Sequence, residues 1–254
     1  MAIEITKQIY KPSMTVGEVY ARVYGSAALP MPIGNVLELG LEHSEDVQTQ
    51  ENMRKLGGGT HAEVRRVKEV KVKAKLADLN VVNLARSVAG TVESIDAGTV
   101  ADEPHTATLG GLVPLEHIGA TSVVVKKGPD VGTATVVAMD GNYEPRPEGV
   151  YLLPEAVGIA AADKLWVSYS YGAYAAIEAL TTKAVELELI FGGLNEADSG
   201  KPVVVNIFRA SQGVTKALAL IRKGFNSLDV EGTVLEDPTK EGAGLSRYYR
   251  TRLG

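Results

Sequence analysis

Gly34–His43 alternates in extended register, with Leu37, Leu39 and Leu41 on one side and Glu38, Gly40 and Glu42 on the other. That period of two predicts a strand with one buried face. Ser44–Gly59 follows. It is too polar and too long for a tight turn, ends in Gly57-Gly58-Gly59, and reads as a long loop. Val64–Leu76 predicts a second strand, where Val70, Val72, Ala74 and Leu76 alternate with Lys71, Lys73 and Lys75. Asn80–Ala89 then predicts a short helix: Asn80 suits the N-cap, Leu84 and Val88 form an apolar stripe, and Gly90 suits a left-handed C-terminal position.

The first 33 residues have weaker patterning. Val16, Val19, Tyr20 and Val23 fit one face of a short helix, while Tyr20, Arg22 and Tyr24 fit a strand, so the segment is treated as an arm. Thr91–Thr108 reads as a polar connection. From Thr121 onward strands dominate: Val123–Val125, Thr133–Met139 closed by Asp140-Gly141-Asn142, and Gly149–Leu153. In the next strand Leu165, Val167, Tyr169 and Tyr171 alternate with Trp166, Ser168 and Ser170. Thr182–Phe191 reads as a long strand with Leu187 and Leu189 opposite Glu186 and Glu188. A loop over 192–202 leads to a return strand through Val203, Val205 and Ile207. Leu218–Ile221 is ambiguous, and Leu228–Val234 alternates again, with Asp229 and Glu231 outward. No fixed-period repeat and no linker divides the chain. The expected fold is all-β, a β-sandwich or barrel-like single domain over 1–254 with one short flanking helix: arm 1–33, strand–loop–strand–helix core 34–118, β insert 119–174, and C-terminal strands and tail 175–254.

With 254 residues and no cysteine, the chain is held by packing and assembly, without disulfides or thiolate metal sites. Its net charge of −5 makes it a poor general binder of phosphates. No run of about 18 apolar residues predicts a membrane span. Met1–Thr15 lacks the apolar core of a signal peptide, so a cytoplasmic site of synthesis and assembly is expected. The four histidines His43, His61, His105 and His117 have no metal-binding spacing. Gly57-Gly58-Gly59-Thr60 lacks the Lys-Ser/Thr of a phosphate loop. No catalytic constellation emerges, so no enzyme activity, cofactor or metal is expected. Two charge patterns remain: a lysine strand (Lys71, Lys73, Lys75) and three acidic strands (Glu38 with Glu42, Glu186 with Glu188, Asp229 with Glu231). In an assembly these are expected to define two surfaces of opposite sign, the acidic ones facing water.

The order Gly34-Asn35-Val36-Leu37-Glu38-Leu39, Glu42-His43-Ser44-Glu45, Gly57-Gly58-Gly59-Thr60 and Asp78-Leu79-Asn80 leading to Gly90-Thr91 resembles the core of the major tail tube proteins of long-tailed bacteriophages. Phe191-Gly192-Gly193-Leu194-Asn195 and Gly200-Lys201-Pro202-Val203 resemble that family's closing hairpin, and Gly224-Phe225 to Leu235 its last strand. Residues 119–174 look like its β insert. The resemblance implies hexameric rings stacked into a tube, with subunit strands closing one inner barrel around double-stranded DNA that passes without specific binding. It implies tail-tip, tape-measure and terminator partners and a place in the virion, assembled in a bacterial cytoplasm. On that reading Glu38, Glu42, Glu186, Glu188, Asp229 and Glu231 are candidate lumen residues. Glu45, Asp46, Glu51, Arg54 and Lys55 form a candidate inter-subunit loop, and Arg247, Tyr248 and Arg250 a C-terminal contact. The competing readings are a β-sandwich binding module (an adhesin or carbohydrate-binding domain) using Trp166, Tyr169, Tyr171 and Tyr174 as a platform, or another phage tail or decoration protein.

Overall fold

The computed structural model describes residues 12–54 and 56–254. Lys55 and the first eleven residues of the expected arm lie outside the described residues. The chain is built from antiparallel sheets and one short α-helix, as the alternating pattern predicts. It gathers into two compact units: the described residues up to Val92 with Ile177–Gly254, and Glu93–Ala176. The expected single domain is thus redrawn as two units, and the insert starts at Glu93, not at 119.

In chain order the elements are β1 (Thr15–Val23), β2 (Met31–Pro32), β3 (Val36–Glu51), β4 (Thr60–Leu76), α1 (Val81–Ser87) and β5 (Thr91–Ile95). Then come β6 (Gly98–Thr106), β7 (Leu112–Pro114), β8 (Thr121–Lys127), β9 (Thr135–Val137), β10 (Tyr143–Arg146), β11 (Gly149–Leu152), β12 (Lys164–Tyr171) and β13 (Tyr174–Glu178). The chain ends with β14 (Glu186–Asn195), β15 (Lys201–Gln212), β16 (Leu228–Val234) and β17 (Tyr249–Leu253).

The first unit is one sheet in the order β2-β1-β14-β15-β16-β4-β3, with β17 also paired to β15. Val70, Val72, Ile207, Ala210 and Val234 form its buried cluster, with Leu39, Leu41, Leu189 and Tyr249 packed against it. Leu37 leaves the expected Leu37–Leu39–Leu41 row, because a bulge between Val36 and Glu38 turns it out to 59% exposure. Part of the arm is a strand: β1 pairs with β14 from Thr15↔Asn195 to Val23↔Leu187, burying Val19 and Ala21. Strand β14 starts later than expected, at Glu186. It runs on through Gly192 and Gly193, which the sequence reading placed in a loop. Glycine permits this, since a Cβ on Gly17 would lie 2.3 Å from the Gly192 carbonyl oxygen.

The largest correction is the expected loop over Ser44–Gly59. Strand β3 continues to Glu51, so only Asn52–Gly59 turns. The Asn52 N–H donates to the Gly59 carbonyl at 2.7 Å, and Gly57, Gly58 and Gly59 all have positive φ, which glycine adopts without steric penalty. The ribbon escapes a periodicity search because both of its faces are exposed. Cross-strand pairs such as Arg65–Glu45 (3.2 Å) supply what order the side chains give.

Helix α1 is capped as expected, the Asn80 side chain accepting the Asn83 N–H at 2.8 Å. Its buried side chains are Asn83, Ala85 and Ser87, while Leu84 and Val88 are half-buried. Asn83 donates through Nδ2 to the Ile33 carbonyl at 2.6 Å, pinning the helix to the segment between β2 and β3. Ala89, not Gly90, takes the left-handed conformation (φ 48°). Gly90 is needed for space, since a Cβ there would lie 2.7 Å from the Glu178 carbonyl oxygen.

The inserted unit is a small sandwich. The sheets β10-β11-β7 and β6-β12-β8-β9 share a core of Val113, Val125, Val137, Tyr143, Val150, Leu152, Leu165, Val167 and Tyr169. Two strands, β5 and β6, arise from the stretch read as a polar connection, and β7 follows it. Strands β5 and β13, on which the chain leaves and returns, pair with each other.

Leu228 is fully buried, at 0% exposure. Leu228→Ala is expected to cost about 2–5 kcal/mol through lost burial and a residual cavity. Ile221→Ala, at an exposed position, stays within about 0.5 kcal/mol of the parent. Urea midpoints at unchanged slope check both.

Candidate functional site: a charged sheet face

The most chemically distinctive surface of the first unit is the sheet face away from its core. The register fixes its composition. Lys75 lies between Glu38 and Asp229, Lys73 between Gly40 and Glu231, and Lys71 between Glu42 and Thr233. The buried residues Val70, Val234, Ala210 and Leu187 are linked pair by pair across four strands. Their neighbours Lys71, Thr233, Ser211 and Glu186 therefore point the other way. All six carboxylates proposed for a lumen thus share one face, although they sit on three separate strands.

The same register overturns the expectation of two surfaces of opposite sign: the lysine column runs between acidic columns on one face. Lys73 Nζ meets Glu42 Oε1 at 2.8 Å, and Lys71 meets Glu69 at 3.4 Å. Glu231 meets Lys216 at 2.6 Å, Glu188 meets Arg22 at 2.6 Å, and Glu186 meets Arg209 at 2.7 Å. The hydrogen bond to Glu42 raises the Lys73 pKa, and the bond from Lys216 lowers that of Glu231. Most of these pairs are exposed and individually weak. Glu18 and Glu69 share this face, as do Arg22, Lys71, Lys73 and Lys75, with exposed Arg250 and Arg252 of β17 opposite Asn206 and Val204. Where β16, β4 and β3 meet, each lysine lies beside a carboxylate, so that part of the face offers a polyanion few free cations.

The other proposed contact residues are scattered. Glu45, Asp46 and Glu51 lie on β3, and Arg54 lies in the turn at the ribbon's tip. From Glu42 to Glu51 and from Thr60 to Lys68 every residue is exposed. Arg247 is engaged within the chain by Glu236. The Tyr248 carbonyl accepts the Phe208 N–H at 3.0 Å, and Arg250 sits exposed on β17 opposite Asn206.

Of the aromatic platform of the binding-module reading, Tyr169, Tyr171 and Tyr174 cluster, with Tyr171 6.3 Å from Tyr169 and 6.5 Å from Tyr174 between centroids, but none of the four aromatics is fully exposed. Tyr169 is buried, and its hydroxyl donates to Glu103 at 2.7 Å; burial first, and this bond second, raise its pKa strongly. Trp166 Nε1 donates to the Gly128 carbonyl at 3.1 Å. Tyr171 stacks on His117 with centroids 3.7 Å apart, and Tyr174 bonds His117 Nδ1 at 3.0 Å. Among the described residues no group of three or more His, Asp or Glu side chains is placed to hold a metal, and no helix is long and apolar enough to cross a membrane.

Sequence reasoning missed a polar cluster at one end of the sheet and a charge division between the units. Asp237 is 3% exposed and accepts from Tyr24 (2.9 Å) and from the Thr239 hydroxyl (2.7 Å) and N–H (2.9 Å). Arg209 lies over the Tyr24 ring and forks onto Glu186. The signal present was Asp237-Pro238-Thr239, an Asp-initiated turn. The inserted unit carries 11 acidic residues and 4 basic ones, a net of −7, whereas the rest of the chain sums to +2. This asymmetry is plain from composition once the boundary at Glu93 is known.

The carboxyls of Asp237 and Glu186 are held below their ordinary values. For Asp237, burial alone pushes the pKa up, but the bonds from Thr239 and Tyr24 outweigh it. For Glu186, the Arg209 fork dominates. Both groups thus bind a proton more readily unfolded than folded. Their stabilisation is present above the unfolded carboxyl pKa of about 4 and is lost as pH falls through the folded values. Asp237→Asn with Glu186→Gln is expected to flatten the decline of the urea midpoint as pH falls from about 5 to about 3. An unchanged slope refutes the assignment.

No curated protein matches the chain. A family profile described as Protein of unknown function UCP028589 matches residues 12–252, nearly the whole length, and the chain belongs to that family.

Proposed function

We propose that the chain is a structural subunit of a phage tail tube, six copies forming a ring and rings stacking into a conduit for double-stranded DNA. The observation that carries this reading is the gathering of Glu38, Glu42, Glu186, Glu188, Asp229 and Glu231 on one face of a sheet whose last strand, β3, has no partner on its outer edge among the described residues. Strand β3 is 16 residues long and ends the sheet order. Its outer row of N–H and C=O groups is a template for another strand. At the other end, β2 covers only Tyr20 and Ala21 of β1. Joining these two edges between copies closes a barrel and turns the charged face inward. DNA carries about one charge per 1.7 Å of axis, so a wall with free cations would grip it. Here each lysine of the column has at least one carboxylate directly across from it, and that part of the wall lets DNA slide.

On this reading the ribbon with Glu45, Asp46, Glu51 and Arg54 reaches a neighbouring subunit, since a two-stranded ribbon exposed on both faces is marginal alone. Arg247, Tyr248 and Arg250 lie at a second contact. Tail-tip, tape-measure and terminator proteins are the partners, the virion is the destination and the host cytoplasm the place of assembly. The chain has no enzymatic role.

Light scattering after size exclusion, with negative-stain images of the same fractions, tests the reading. Rings or hollow tubes are expected. A chain that stays monomeric and is not recruited by tail-tip components overturns it. Joining Ser44 to Glu69 through a two-residue turn removes the ribbon at a paired position. That variant is expected to melt like the parent but form no tubes, and normal tubes would remove the ribbon from assembly.

A further inference from the structure

We propose that residues 214–225 of one copy dock into an apolar groove between β1 and β3 of a second copy. The segment joins β15 to β16. Val214, Leu218, Ile221 and Phe225 follow the spacing i, i+4, i+7, i+11, the apolar stripe of an amphipathic helix, and Lys216–Lys223 is rich in helix formers. In the isolated chain it forms no helix. Leu220, Ile221 and Phe225 are exposed by 81%, 97% and 101%. Its start is held by Thr215 N–H to the Ser87 carbonyl (2.7 Å), Thr215 Oγ1 to the Asp229 carbonyl (2.9 Å) and Lys216 to Glu231 (2.6 Å). A stripe with nothing to bury against stays irregular, because a short helix gains most of its stability from packing.

The groove has about 370 Å³ of space, lined by Val16, Val19, Leu37, Leu39 and Phe191, with Glu38 the only charged residue in its lining among the described residues. Apolar exposure continues at its rim: Val16 is 48% exposed, Leu37 59%, and Leu194, which pairs with Val16, 51%. Clustered apolar exposure of this kind marks a contact surface. Charge selects the occupant. Between Gly213 and Leu228 the chain has Arg222 and Lys223, besides Lys216, which meets Glu231 of its own chain, and no acidic residue, while the groove contributes Glu38 and, from the adjoining position on β1, Glu18. A second copy supplies both the apolar stripe and the complementary cations.

This contact does not depend on tube formation. The chain has no cysteine, so single cysteines report on it cleanly. Ile221→Cys and Leu37→Cys both sit at exposed positions, and Val157→Cys, 93% exposed in the inserted unit, serves as control. Each is made in a separate, differently sized tagged full-length chain, mixed in pairs and oxidised with copper phenanthroline. The Ile221→Cys/Leu37→Cys heterodimer is expected to form roughly tenfold faster than Ile221→Cys/Val157→Cys. Adding Phe225→Asp to the Ile221→Cys chain should reduce its rate by a similar factor, as expected for removing one large apolar contact. Equal rates for the two pairs, or no effect of Phe225→Asp, overturn the proposal. Tubes without the selective cross-link would refute this contact alone. The cross-link without tubes would leave it standing and count against the conduit.

Discussion

The pairing register of β16, β4 and β3 is the constraint on which the rest of the first unit depends. Side chains alternate with a period of two, so a one-residue slip of β4 would carry Lys71, Lys73 and Lys75 into the core and Val70, Val72 and Leu76 out. The penalty for burying unpaired ammonium groups locks the register. The same alternation sets the lysine column beside the carboxylates of β3 and β16. Core and charged face are two readings of one hydrogen-bonded ladder.

That ladder is incomplete in a single chain. Among the described residues the outer edge of β3 has no partner strand and the ribbon beyond Ser44 no covered face, and residues 214–225 carry an apolar stripe into solvent. Each feature is costly or aggregation-prone when left exposed. The inserted unit has its own core, enclosed between its two sheets from Val113 to Tyr169. Its net charge of −7, against +2 for the rest, makes it poor company for DNA.

The strands that bury one face were legible in the sequence. Leu39–Leu41, Val70–Leu76, Leu165–Tyr169, Leu187–Leu189 and Leu228–Val234 all show the period of two that partial burial imposes. So was the Asn80 cap, a local interaction spanning three residues. The ribbon at Glu45–Glu51 was not, because a strand exposed on both faces needs no alternation. Strand β1 was not, because its Val19 and Ala21 gain meaning only opposite Leu189 and Phe191, some 170 residues away.

By itself the sequence determined the strand-rich class, the lack of cysteine chemistry and the charge on each strand, because these follow from composition and from neighbours a few residues apart. Tertiary structure alone decided which strands lie side by side. It put six carboxylates from β3, β14 and β16 on one face, set the lysines among them, and cut the insert at Glu93. The physical reason is that a strand's periodicity tells its two faces apart but not which strand its edges will pair with; long-range hydrogen bonding and packing decide that.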